Sequence, residues 1–205
     1  MNEKFMDELI KYLVNKYSCH SIILYGSYTT ADYTAESDID VLCFCDEVGA
    51  RNDTTILHDK QLDAWIYNTK EMENTEKFLH VKDGLVLYDQ RGLCNHFLDQ
   101  IIKRYDKGPE PLNDNEKQFL KNWLLKMMKR SQKGDIEGDF RYHWMLTDSL
   151  EIYFKLRGLW YMGPKKSLIW LSHNDKYTYN LYKCALNRQA TVSDVEALIN
   201  HIVTL

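Results

Sequence analysis

The chain has little of what specialised small proteins rely on. Its 205 residues include only three prolines and nine glycines, too few for a collagen-like or low-complexity chain. Two of those prolines, Pro109 and Pro111, fall together, so little else interrupts regular elements. The cysteines Cys19, Cys43, Cys45, Cys94 and Cys184 form no Cys-x-x-Cys pair. That argues against a zinc site or disulfide framework and for reduced cytosolic thiols. No apolar run approaches the roughly 20 residues that span a bilayer. The N-terminal stretch is broken by Glu3, Lys4, Asp7, Glu8, Lys11 and Lys16, unlike a secretory leader. A cytoplasmic protein with no membrane partner is expected. Basic excess is missing too: the net charge is -4, and a nucleic-acid partner is not expected without a basic footprint.

What remains is an ordinary globular composition, 44% hydrophobic, enough for one large domain or two small ones. Phe5, Met6, Leu9, Ile10, Leu13, Val14 and Tyr17 share one helical stripe over residues 4–17. Strands are expected near 21–25, 39–45 and 61–67, with a short helix within 27–33. Glu71–His80 reads as helical, 84–88 as a strand or apolar connector, and Leu93–Tyr105 as a helix. Lys107–Leu112, with its two prolines, reads as a linker. Beyond it, Asn113 and Glu116 form a capping box for a helix bearing Phe119, Leu120, Trp123, Leu124, Met127 and Met128. Leu146, Leu150, Tyr153, Phe154 and Trp160 mark a second helix, Tyr177–Leu186 a third. A last helix, capped by Ser193 and Glu196, bears Val195, Leu198, Ile199, Ile202 and Val203. The expectation is a first domain over 1–107 and an antiparallel helical bundle over 112–205.

The chemistry concentrates in the first domain. An apolar run, Ser21-Ile22-Ile23-Leu24, ends in Tyr25-Gly26-Ser27. Glycine lets backbone approach a ligand, and the N–H groups of a following helix start favour an anion, so Gly26 and Ser27 are candidates for phosphate binding. Ser37-Asp38-Ile39-Asp40 then heads a second apolar run. Alternation along a strand puts Asp38 and Asp40 on one face and Ile39 and Val41 on the other. Acids are depleted in strands, so acids at apolar runs need a reason. Asp63, within Gln61–Tyr67, supplies a third carboxylate if its strand lies alongside. A divalent cation offsets such repulsion, and magnesium sits on one or two carboxylates plus substrate phosphates.

The pattern Gly26-Ser27, spacer, Ser37-Asp38-Ile39-Asp40, then Asp63 on a later strand, resembles the DNA polymerase β-like nucleotidyltransferase superfamily. It looks closest to the small bacterial kanamycin, lincosamide and minimal nucleotidyltransferases. Tyr28 and Asp32 stand where such proteins often carry a basic residue and a glycine. The resemblance implies an α+β fold, a mixed sheet with flanking helices followed by a C-terminal helical bundle. It implies two magnesium ions on Asp38, Asp40 and Asp63, and ATP or another nucleoside triphosphate as donor at Gly26-Ser27. AMP would pass to a hydroxyl of a small molecule, such as an aminoglycoside or lincosamide, in a site to which the bundle contributes. A protein acceptor and a non-catalytic nucleotide sensor remain alternatives.

Other polar residues are weighed against plainer roles. Lys165 and Lys166, after Gly163-Pro164 on a turn between helices, reach the triphosphate or stand as solvated loop charges. Lys117, Lys121, Lys126, Lys129, Arg130 and Lys133 read as a solvated face. Within Phe140–Trp144, Trp144 is expected in the bundle core and His143 in a structural role. Asp63, Asp148 and Glu151 are candidates for the general base. Nothing argues against a homodimer.

Overall fold

The computed structural model describes residues 3–30, 33–47 and 49–205; Asp32 lies outside them. The chain divides into two compact units, 1–107 and 108–205.

The first unit is built on a six-stranded mixed sheet: β1 (Ser21–Leu24), β2 (Ile39–Cys45), β3 (Arg51–Asp53), β4 (Ile56–Leu57), β5 (Lys60–Asn68) and β6 (Leu85–Asp89). The strand order is β3-β5-β2-β1-β6, with β4 paired to β5. β2 and β5 are parallel, and every other pair is antiparallel. Helix α1 (Glu3–Tyr17) covers one face, burying Leu9 and Leu13 against Ile39, Val41, Cys43 and Cys45. Alternation turns Asp40, Leu42 and Phe44 to the other face. There α3 (Cys94–Lys107) follows β6, and Phe44 meets Phe97 at 5.1 Å and Phe78 at 5.7 Å, edge-on. β2 is therefore buried on both sides, which is why it reads as a nearly unbroken apolar run.

Two small strands, Arg51-Asn52-Asp53 and Ile56-Leu57, are too short to show a period in the sequence. β3 is held by its last residue. The buried Asp53 carboxylate accepts hydrogen bonds from Tyr12 Oη (2.9 Å), Tyr17 Oη (2.8 Å) and Lys16 Nζ (3.0 Å) of α1. The segment expected to be helical over 71–80 is two 3-10 stretches, Thr69–Glu73 and Thr75–Val81. Asn74 between them departs from helical backbone angles, at φ -92° and ψ 66°.

The second unit is all helical: α4 (Asp114–Ser131), α5 (Ile136–Leu156), α6 (Gly163–Asn174), α7 (Lys176–Ala185) and α8 (Val192–Val203). Its core gathers Leu124, Met127, Met145, Tyr153, Tyr182 and Leu198. The Asn113–Glu116 capping box of α4 is present. The last helix is capped by Thr191 and Asp194, not by Ser193 and Glu196; both pairs fit a capping pattern, and the earlier one satisfies the first turn. Gly163-Pro164 reads as a turn in the sequence but opens α6, since proline suits the first turn of a helix. Trp160 lies beyond the end of α5, and Trp144 is 43% exposed rather than core. All five cysteines are free thiols, four of them buried. Among the described residues no helix is long and apolar enough to cross a membrane.

Candidate active site

The site forms where β1 ends beside the start of β2. The Tyr25 N–H donates to the Asp40 carbonyl at 3.0 Å, extending the β1–β2 ladder by one rung. The chain then turns at Gly26, whose φ of +75° is the left-handed region that favours glycine. A Cβ at Gly26 would lie 2.1 Å from Asp40 Oδ2. The missing side chain is thus what gives the Asp40 carboxylate its place against the turn. The Thr29 hydroxyl (2.9 Å) and N–H (3.2 Å) both donate to the Gly26 carbonyl and hold the turn closed. Ser27 opens the four-residue helix α2 (Ser27–Thr30). Tyr28 stacks on Tyr33 beside it, ring centroids 4.7 Å apart.

Across the sheet, Asp40 of β2 stands in register with Asp63 of the parallel strand β5. In-register neighbours present their side chains on one face, so the two carboxylates sit side by side. Asn52 Nδ2 donates to Asp63 Oδ1 at 2.6 Å. Asn52 reaches it because Asp53, the next residue of β3, points to the α1 face.

Residues 7–103 match the sequence model of the family described as Polymerase beta, Nucleotidyltransferase. The first unit thus carries the sequence pattern of a polymerase β-type nucleotidyltransferase domain. Eleven solved chains also resemble this one. Among them is a nucleotidyltransferase-like protein from Exiguobacterium sibiricum 255-15, at 11% identity and a TM-score of 0.49, covering 98% of this chain and 74% of that one. No curated protein matches the sequence.

The expected three-carboxylate cluster is not assembled as such. Among the described residues no three His, Cys, Asp or Glu side chains are grouped to hold a metal ion. Asp38 precedes β2 and is exposed, after a turn in which the Ser37 N–H donates to the Thr34 carbonyl (3.2 Å) and Ser37 Oγ accepts from the Thr34 N–H (2.8 Å). Strand alternation does not govern it there. The Asp40–Asp63 pair itself fits a hard divalent ion. It offers oxygen donors from two adjacent strands, and magnesium completes its shell with phosphate and water.

Three residues that the sequence did not single out border the pair. Tyr25 is partly buried; burial pushes its phenol up, and the negative charges of Asp40 and Asp63 add to the shift. Its ring meets His80 edge-on at 5.2 Å. Asn52 carried no signal, since its strand is too short for periodicity. Trp65, two residues beyond Asp63 and on the same face, is 38% exposed and stacks on Tyr67 with centroids 6.1 Å apart.

The remaining candidates belong to the second unit. Lys165 and Lys166 lie in the first turn of α6, not on a free turn. Asp148 and Glu151 of α5 lie near Tyr161, whose phenol is pushed up by burial and then by Glu151 and Asp148.

Proposed function

We propose that this protein is a divalent-metal-dependent nucleotidyltransferase moving AMP, or another nucleoside monophosphate, from a nucleoside triphosphate to a hydroxyl of a small molecule. The observation that carries this reading is the in-register Asp40–Asp63 pair set against the side-chain-free Gly26 turn. Asp40 and Asp63 would hold the metal, with Asp38 joining from the exposed segment before β2. Magnesium, when bound, stabilises charge on the attacking and departing oxygens.

The chain's own groups do the rest. Gly26 and Ser27 present a turn that a triphosphate can approach closely. The acceptor oxygen bonds to the α-phosphorus while the bond from that phosphorus to the α,β-bridging oxygen breaks, and pyrophosphate departs. The hydroxyl proton passes to a carboxylate, and Asp63 is suited to take it. With Oδ1 engaged by Asn52, the second oxygen of Asp63 is left to face the reactants. Aminoglycosides and lincosamides, hydroxyl-rich and compact, are the acceptors to try first. We take the compartment to be the cytoplasm, where ATP and reduced thiols are both maintained.

The test is pyrophosphate release from magnesium-ATP with a panel of those compounds, with Asp40→Asn as control. Release stimulated by one compound and lost in Asp40→Asn supports the reading and names the acceptor class. ATP binding without release from any compound moves the weight to a protein acceptor, seen as a labelled band, or to nucleotide sensing.

A further inference from the structure

The proposed chemistry leaves the aromatic segment of α5 unused. Phe140 is 66% exposed and Trp144, one turn on, 43%. Ile136, one turn earlier, is 87% exposed. Trp144 meets Trp123 of α4 edge-on at 5.6 Å, and Phe140 lies 6.1 Å from Trp144. Phe119, one turn before Trp123 and 68% exposed, extends the row. The two helices run antiparallel here, since Arg141 Nη1 reaches Met127 Sδ at 3.6 Å, one turn beyond Trp123. Four rings therefore line the seam between α4 and α5. The seam opens at one end into a hollow of about 450 Å³ bounded in part by Glu116, Phe119, Leu120 and Lys155.

The two ends of this row carry opposite charge. Lys126 and Arg130 follow Trp123 on the same side of α4 at helical spacing. Both are exposed and make no ion pair among the described residues. Beside them Glu137 takes both Lys133 and Arg141, and with Lys129 five cations stand at that end against Asp135, Glu137 and Asp139. At the other end stand Glu116, Asp148 and Glu151, with Lys155 paired to Glu151 at 2.7 Å.

Single exposed apolar side chains are ordinary, but a contiguous row of large rings marks an interaction surface. We propose that this face is covered by a second copy of the same chain. A two-fold axis lying across α4 and α5 near Trp123 and Trp144 sets the basic end of each copy on the acidic end of the other. The contact is then made twice, as an isologous interface requires. Two antiparallel helix pairs stacked in this way form a four-helix layer with the rings at its centre. A polyanion such as nucleic acid would match one end and be repelled at the other, which is why a self-complementary partner fits better.

The test is sedimentation velocity on the full chain across a wide concentration range. The wild type is expected to dimerise, and rising salt to weaken the dimer. Trp144→Glu, at a site already half open to solvent, gives monomers with an unchanged circular dichroism spectrum. Lys126→Glu with Arg130→Glu makes both ends acidic and gives monomers. Asp148→Lys with Glu151→Lys makes both ends basic and also gives monomers. Mixing these two double variants restores a dimer, now mixed, and a chain carrying all four reversals dimerises by itself. A wild-type chain that stays monomeric at its highest soluble concentration, or a dimer indifferent to these reversals, overturns the proposal.

Discussion

Gly26 and Asp40 share one small space: a Cβ on the glycine would lie 2.1 Å from the aspartate Oδ2. That is well inside van der Waals contact, and the glycine also holds a φ of +75°. Gly26→Ala is therefore expected to push the Asp40 carboxylate out of place and to strain the turn by roughly 1–2 kcal/mol. Transfer should fall by about a hundredfold, as for other misplacements of order 1 Å. Pyrophosphate release and a thermal melt read the two effects. Wild-type turnover in Gly26→Ala would show that the position of Asp40 against the turn does not matter.

Asp40 and Asp63, two like charges in register on adjacent strands, raise each other's energy until a cation joins them. Asp40→Asn and Asp63→Asn keep size and shape while removing one charge. Each should abolish transfer and weaken manganese binding in a calorimetric titration, while the metal-free melting temperature stays level or rises slightly. A large drop in that temperature would mean that the pair is structural instead. A chelator should stop turnover by the wild type, and added magnesium should restore it.

Asn52 is a positioning residue for Asp63, through its hydrogen bond of 2.6 Å. Asn52→Ala frees the carboxylate to rotate. Losses of partners one step removed from a metal ligand typically cost 10- to 100-fold in metal affinity or activity, and a loss near the lower end is expected for this exposed pair. Manganese titration separates this from a folding defect. An unchanged affinity would show that Asp63 is oriented by something else.

At the opposite end of the strands the buried His20 ties the start of β1 to the segment after β5. Its Nδ1 lies 2.9 Å from Ser21 Oγ and its Nε2 2.7 Å from Thr69 Oγ1. Burial pushes its pKa down, Arg91 adds to that, and Asp46 and Asp89 oppose it. The unfolded chain therefore takes up this proton first. The contribution of His20 to stability is complete above about pH 6.5, the ordinary histidine value, and is lost as pH falls from there through its folded value. Asp46 does not blur the window, because Arg91 and then Thr69 hold its carboxyl well below the usual range. Thermal melts between about pH 5 and 8 should show this slope, where histidine titrates. His20→Gln should flatten it; an unchanged slope would place the proton uptake on another group.

Much of this protein is local and so legible in its sequence. The stripe of α1, the apolar runs of β1, β2 and β5, and the Asn113–Glu116 cap each involve residues a few positions apart. Their periodicity is readable without knowing any long-range contact. The turn at Gly26 and the acids heading β2 were visible for the same reason. Pairing was not. That Asp40 faces Asp63 depends on the parallel register of β5 on β2, a pairing between residues far apart in the chain. Asn52 enters the site only because Asp53, beside it, is held by α1. Trp144 shows the limit from the other side: its place in a helical aromatic stripe suggested burial, yet it lies on a flank of α5 that the bundle leaves open. Short-range spacing fixes which side chains share a face, and only packing decides what that face meets.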